Sequence, residues 1–202
     1  MNLLRLITLS LVFLSFDLSL LAEDPLFHAP FGESLDAEIS QGTAKPVAKK
    51  GVYEFQKGVF GPGLAVGAPE SFLMYPAHQN LHGEEGTVSL WLQNDWEPAD
   101  GKFHMLWTLL ANGRMNLYKF GGGDNKLIFL VEGRDSGSTV SAVTSISSWE
   151  KGGKHHLAAT WAPGVVDLFV DGVKVADRAD PGLQLPEVRA NDIFFVGDYY
   201  HP

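Results

Sequence analysis

The sequence predicts an all-β fold in which two antiparallel sheets pack face to face. Glycine and proline divide the chain into short apolar runs at spacings of roughly 8–12 residues, which is typical of successive strands and turns. No long segment sustains the 3.6-residue apolar period of an amphipathic helix. The runs alternate enough to give each strand one apolar face, and two packed sheets bury such faces against each other.

Two hairpins are predicted from their turn residues. Asp171-Gly172 separates Val165–Val170 from Val173–Val175, and this dipeptide tolerates the positive φ angles that a two-residue type I′ turn requires. A second hairpin, with a longer glycine-rich loop, is expected between Met115–Phe120 and Lys126–Val131.

Further strands are predicted at Thr87–Gln93, Phe103–Leu110, His155–Trp161 and Ile193–Val196. Alternation along two neighbouring strands assigns one set of residues to the core between the sheets: Leu157, Ala159, Trp161, Val166, Leu168 and Val170. Trp91 and Trp107 lie among aliphatic residues, so we expect both to pack in the core.

The amino terminus has the layout of a secretory signal peptide. Arg5 precedes the apolar run Leu6–Phe16, and Ala22 offers a cleavage point before Glu23. We therefore predict a signal peptide at 1–22 and one domain at 23–202, located in the periplasm or outside the cell, with no membrane span after cleavage. An uncleaved anchor is the alternative, because Leu20 is larger than the residue preferred at position −3.

Charge and cysteine content exclude several functions. The formal net charge is −9 and there is no cysteine. Nucleic-acid binding is disfavoured because the basic residues do not form a clustered face beyond Lys49 and Lys50, with Lys45 nearby. Without cysteine there is no disulfide, thiolate metal site or thiol nucleophile.

Several segments together resemble the LamG-like (laminin G, concanavalin A-like) jelly-roll family. They are Gly86–Leu92, Asn94–Trp96, Trp149 with Gly153–Trp161, Leu168–Gly172 and, upstream, Phe31–Ala37 and Gly58–Leu64. The resemblance implies a jelly-roll β-sandwich of two antiparallel sheets. It also implies a function within the family's range, from glycan binding and adhesion to accessory domains beside enzymes.

One departure from the family concerns the carboxyl end. Family members usually follow a strand like Ile193–Gly197 with another that reads roughly Gly-x-Ile-Asp-Glu-hydrophobic-Arg. This chain stops at Pro202, so we expect the last strand to be missing and one sheet edge to be unpaired.

The residues and their spacings give little support for a catalytic function. The Glu-x-Asp-x-x-Glu spacing of jelly-roll glycoside hydrolases is absent, since Glu33, Asp36 and Glu38 have other intervals. His155 and His156 point to opposite faces of a strand and cannot bind one ion together. His78 and His82 have no third ligand nearby in sequence. We therefore predict a non-catalytic recognition or adhesion module; the alternative is an accessory domain or fragment of an extracellular glycan-processing enzyme.

The candidate ligand-binding residues are Asn94, Asp95, Trp96 and Tyr118. Aromatic rings stack on the apolar face of a pyranose while amide and carboxylate groups bond its hydroxyls, so a glycan or an extracellular protein is the expected partner. The alternative for Trp96 is a lid over the edge of the core. No cofactor is firmly indicated; calcium is the cation that the loops favour, through oxygen ligands from Asp95, Asp100, Asp124 and Asn125.

Overall fold

The computed structural model describes residues 24–51, 53–66 and 71–197. The predicted signal peptide lies outside these ranges. Within them, no helix has the length and apolar character needed to cross a membrane.

The described residues form fifteen strands and one single-turn 3-10 helix at Arg134–Ser136. The early strands are β1 Phe27–His28, β2 Ile39–Ser40, β3 Ala48–Lys50, β4 Glu54–Lys57, β5 Pro62–Ala65 and β6 Phe72–Pro76. The later strands are β7 Gly86–Gln93, β8 His104–Ala111, β9 Gly113–Lys119, β10 Lys126–Glu132, β11 Thr139–Ser145, β12 Lys154–Ala162, β13 Val165–Val170, β14 Val173–Ala179 and β15 Ile193–Gly197.

Two sheets make up the sandwich. The larger sheet has the strand order β11-β10-β9-β8-β15-β6-β3, and the smaller sheet has the order β14-β13-β12-β7. All their pairings are antiparallel. The pairs β1–β2 and β4–β5 form two small additional ribbons. The all-β jelly-roll prediction is thus confirmed.

Alternating residues of both sheets fill the core between them. On β12 the inward residues Leu157, Ala159 and Trp161 are at most 2% exposed. Trp161 stacks against Trp107 of the larger sheet, with ring centroids 6.2 Å apart. These assignments confirm the predicted core face, except that Val170 is only partly buried. Burial of each large apolar side chain contributes about 1.5–3 kcal/mol, so this layer is the main source of stability.

Both predicted hairpins are present. Val170 pairs with Val173, and the intervening Asp171 and Gly172 have φ angles of 51° and 79°, as the type I′ turn requires. The second hairpin joins β9 to β10, and the Phe120 amide donates to the Lys126 carbonyl (2.8 Å) at the base of its loop.

The position of Trp91 differs from the expectation. Along β7, Val88, Leu90 and Leu92 point inward and are half-buried, whereas Trp91 lies on the opposite face and is 51% exposed. Trp107, by contrast, is 3% exposed. The prediction of core packing was therefore right for Trp107 and wrong for Trp91, because strand alternation places the two rings on different faces.

Candidate binding site

The predicted residues Asn94, Asp95 and Trp96 form the loop that leaves β7. Asn94 is fully buried, and its Nδ2 donates to the carbonyls of Trp96 and Glu150 at 3.0 Å each. Asp95 is exposed. Asn94 therefore holds the loop together from inside, and Asp95 is the member of this group whose side chain faces solvent freely.

Trp96 belongs to a stack of four rings, here called the ring column. Its ring lies parallel to that of His104 (centroids 4.8 Å apart, 15° between planes) and near that of Trp149 (6.2 Å, 25°). Trp149 in turn stacks on His155 (3.8 Å, 11°). The column joins four separate segments, so the geometry agrees with the lid alternative for Trp96: its ring is engaged by the protein itself.

An aspartate pairs with the histidine at each end of the column. Asp100 Oδ2 is 2.6 Å from His104 Nε2, and Asp171 Oδ2 is 3.0 Å from His155 Nδ1. Asp100 also accepts a hydrogen bond from Lys119, whose side chain is fully buried and which also donates to the Lys102 carbonyl (2.9 Å).

These contacts determine the ionisation of both carboxyls. Partial burial opposes ionisation of Asp100, but hydrogen bonds from Lys119, the Lys102 amide and His104 outweigh it and lower the pKa to about 2. At Asp171 desolvation is likewise outweighed, by bonds from His155 and the His156 amide, and the pKa is lowered. Both carboxylates are therefore charged and committed to protein partners at neutral pH.

Tyr118 does not share the surface of Trp96. It lies on β9 beside Lys119, whose side chain points toward the Trp96 ring (5.8 Å from Nζ to the centroid), so alternation turns Tyr118 to the other face. There it stacks with Phe103 (6.1 Å). Burial raises the pKa of its hydroxyl, against an opposing effect of Arg114, so the group is a neutral hydroxyl donor.

The candidate calcium ligands have the following positions. Asp100 is engaged as described, and Asp124 pairs with Lys126 (2.7 Å) in the β9–β10 loop. Asn125 adopts a positive φ of 49°, and its carbonyl accepts from the Ile146 amide. In the part of the chain that the structure describes, no group of three or more His, Asp or Glu residues is arranged to hold a metal. Calcium binding stays a prediction.

An accessible aromatic surface lies elsewhere, on the outer face of the smaller sheet. Phe60, at the tip of the β4–β5 ribbon, is 77% exposed and meets Trp91 at a right angle (centroids 4.7 Å apart, 89°). The His156 ring of β12 lies on Trp91 at 5.0 Å with a 42° tilt. We call these three residues the aromatic corner.

Hydrogen bonds fix the polar side of the aromatic corner. His156 Nε2 is 2.8 Å from Ser89 Oγ, and the His156 amide donates to Asp171 Oδ1 (2.8 Å). Ser89 and Gln93 are exposed on the same face of β7 as Trp91. The corner thus combines two exposed ring surfaces with hydroxyl, imidazole and amide groups.

Sequence reasoning missed the aromatic corner, although part of the signal was available. Val88, Leu90 and Leu92 occupy alternate positions, which places Trp91 on the other face of the strand. The contribution of Phe60 comes from a ribbon about 30 residues earlier in the chain, and no local pattern predicts that approach.

Comparison with known proteins identifies the class to which this sandwich belongs. Residues 70–201 match the Laminin_G_3 family model, described as the concanavalin A-like lectin/glucanases superfamily. The match covers more than half of the chain. The chain therefore belongs to this family, and the LamG-like resemblance is confirmed.

Solved structures share the fold at low sequence identity. The binding domain of Paraclostridial Mosquitocidal Protein 1 aligns with a TM-score of 0.65 and 15% identity, over 86% of this chain and 44% of that one. The receptor binding domain of botulinum neurotoxin D gives 0.60 and 11%, over 77% and 40%. The chain spans about two fifths of the length of these two domains.

A third similar structure is domain 4 of AbnA, a GH43 extracellular arabinanase from Geobacillus stearothermophilus, in complex with arabinotriose. It aligns with a TM-score of 0.50 and 18% identity, over 76% of this chain and 70% of that one. At such identities the likeness concerns the fold alone. No curated protein sequence matches the chain.

Proposed function

We propose that this protein is a secreted, non-catalytic recognition module that binds a saccharide at the aromatic corner of Phe60, Trp91 and His156. The observation that carries the proposal is the exposure of Trp91 and Phe60, at 51% and 77%, where the β4–β5 ribbon meets the outer face of β7, whose other outward side chains are polar. Adjacent exposed aromatic rings form an apolar surface of the kind that marks a binding site.

The chemistry of the corner suits a sugar ring. One face of a pyranose or furanose carries C–H groups that pack on an aromatic plane, and its rim carries hydroxyls that need hydrogen-bond partners. Trp91 and Phe60 supply two aromatic surfaces at a right angle, one to lie below the sugar ring and one beside it. Ser89, His156 and Gln93 supply hydrogen-bonding groups beside them.

A neutral ligand fits better than an anionic one. The protein carries a formal charge of −9, which repels anions over the surface as a whole. In the neighbouring pairs of the two strands, Ser89 faces Ala158 and Trp91 faces His156. The charged groups beside them are of opposite sign: Lys154, opposite Gln93, and Asp171, which accepts a hydrogen bond from the His156 amide. A neutral oligosaccharide is therefore the proposed ligand class.

The relatives are consistent with binding rather than catalysis. Two of the similar structures are binding domains of toxins, and the third is an arabinanase domain in complex with arabinotriose. The second proposal for the whole protein is an accessory domain beside an extracellular glycan-processing enzyme, which the arabinanase domain favours.

The test is a screen followed by a site-specific measurement. The protein is applied to an array of neutral and acidic glycans, once with calcium and once with a chelator. Hits are then titrated while the tryptophan indole N–H signals are followed by NMR. We expect the Trp91 signal to shift with saturation, and those of buried Trp107 and Trp161 to stay in place.

Matched variants separate this site from the one predicted in the β7–β8 loop. Trp91→Ala should abolish binding without unfolding the domain, whereas Asp95→Ala should leave binding unchanged. Binding that survives Trp91→Ala and is lost in Asp95→Ala would reject the aromatic corner and restore the loop site. An absence of binding to every glycan on the array would favour a protein ligand.

A further inference from the structure

The outer face of the smaller sheet carries a further aromatic side chain besides those of the aromatic corner. Along β13, Val166 and Leu168 point into the core and are completely buried, so alternation turns Phe169 to the outer face, where it is partly exposed. The core cluster of the described residues does not include it. Phe169 therefore shares one face of the sheet with Trp91 and His156.

The position of Phe169 does not depend on the edges of the sheet. Its own strand, β13, pairs with β12 on one side and β14 on the other, and β12 pairs with β7 and β13. A further strand at either edge would lie in the plane of the sheet and would leave the outer side chains of β12 and β13 as they are. The outer face in the middle of the sheet is thus defined by the described strands themselves.

The strand registers fix the separation between Phe169 and Trp91. Trp91 faces His156 across β7 and β12, and Phe169 faces Ala158 across β12 and β13. Phe169 therefore lies two strands across and two residues along from Trp91. With strands about 4.8 Å apart and a rise of about 3.4 Å per residue, the two Cα atoms are about 12 Å apart. A sugar ring is about as wide as a phenyl ring, so one sugar unit cannot lie on both side chains.

Short side chains occupy the surface between the two rings. Ser89, Ala158 and Phe169 form one row across three neighbouring strands, and in the next row Thr160 faces Thr87. Serine and alanine leave the sheet surface low between the larger rings of Trp91 and Phe169. The result is a shallow channel that runs obliquely over β12 and has hydroxyl groups along it.

The charges beside Phe169 oppose one another. Lys174 faces Phe169 from β14, and its Nζ lies 3.3 Å from Asp167 and 3.4 Å from Asp177. Because this ammonium group is shared by two carboxylates, it offers little attraction to an anionic ligand. A neutral ligand therefore suits the Phe169 end of the channel as it suits the aromatic corner.

From these observations we infer that the ligand is a neutral saccharide chain with one unit stacked on Trp91 and a later unit stacked on Phe169. This inference rests on the proposed function and extends it, because it adds a second stacking position and a minimum length. At least one unit between the two passes over Ser89 and Ala158, and its hydroxyls bond those of Ser89 and Thr160. The protein therefore prefers chains of three or more units to single sugars.

The test measures how affinity depends on chain length. The probes are linear cello-, xylo- and malto-oligosaccharides of one to six sugar units, titrated while the Trp91 indole and phenylalanine ring signals are followed by NMR. We expect the affinity for at least one series to rise about tenfold between one and four units, because a second stacking contact is added, and then to level off. Phe169 ring signals should shift with four units and stay in place with one.

Variants of Phe169 separate a stacking contact from a general effect on the fold. Phe169→Ala should lower the affinity for the four-unit chain about tenfold and leave that for the single sugar unchanged. Phe169→Tyr keeps a ring of the same shape and should bind the four-unit chain as wild type does. Val165→Ala, on the same face at the far end of β13, is the matched control and should change neither affinity.

The outcomes distinguish this inference from the proposed function. Affinity that does not rise with chain length, no binding by any series at millimolar concentration, or a Phe169→Ala variant that changes the two affinities equally would overturn the inference. Glycan binding that depends on Trp91 would then still support the saccharide site. Binding that is unaffected in Trp91→Ala would overturn the proposed function, and the inference with it.

Discussion

Asp100 is the residue whose replacement most directly tests the electrostatics of this fold. Its carboxylate faces Lys119, which is fully buried, and His104. Asp100→Asn keeps the size of the side chain but leaves the Lys119 ammonium without its counter-charge in the core. Removing one partner of a buried ion pair costs about 3–5 kcal/mol, because the remaining charge is uncompensated.

The pKa of Asp100 gives an independent estimate. Lowering it from the usual 3.8 to about 2 corresponds to roughly 2 kcal/mol of folding stability. Since the folded-state pKa lies below the unfolded one, this stabilisation is complete above about pH 4 and is lost as the pH falls toward 2. The two estimates together predict a loss of about 2–5 kcal/mol at pH 7.

Urea unfolding at a series of pH values provides the assay. Asp100→Asn should lower the free energy of unfolding at pH 7 and should flatten its fall between about pH 4 and 2. Asp95→Asn, at an exposed position, is the control and should change stability by less than about 0.5 kcal/mol. The double variant Asp100→Asn with Lys119→Met should recover much of the loss, because the buried charge is gone. Equal stability of Asp100→Asn and wild type at pH 7 would refute the reasoning.

Three other predictions follow from the geometry. Gly172→Val should destabilise the fold by at least about 1 kcal/mol, because φ is 79° there and valine is strained at such an angle; an unchanged melting temperature would contradict the turn assignment. Trp107→Ala should cost about 3–5 kcal/mol in chemical denaturation, whereas the half-exposed Trp91→Ala should cost much less, and similar losses would show that Trp91 is a core residue after all. Export should remove the first 22 residues, so amino-terminal sequencing of secreted protein should begin at Glu23; intact Met1 in the membrane fraction would support the anchor alternative.

The outcome for the fold shows which sequence patterns are informative. Alternation along β12 and β13 predicted the core face, and Asp171-Gly172 predicted its hairpin, because both depend on residues adjacent in sequence. The family resemblance added the arrangement of two sheets. These features needed no knowledge of distant contacts.

Local sequence patterns predicted the candidate binding site less well than the fold. Lys119 falls on the inward face with Met115 and Leu117, and its burial depends on Asp100, which comes from a loop about 20 residues earlier. The ring column likewise draws on four separate segments, so the contacts of Trp96 depend on which rings approach it.

The sequence by itself determined most strands of the two sheets, the inward faces of β12 and β13, the tight hairpin and the family, since period-two patterning and turn residues act locally. Only the tertiary structure decided that Phe60 meets Trp91, that Trp96 stacks with His104 and Trp149 and that, among the described residues, β7 ends the smaller sheet. The physical reason is that these contacts join segments far apart in the chain, and their closeness depends on how the two sheets pack.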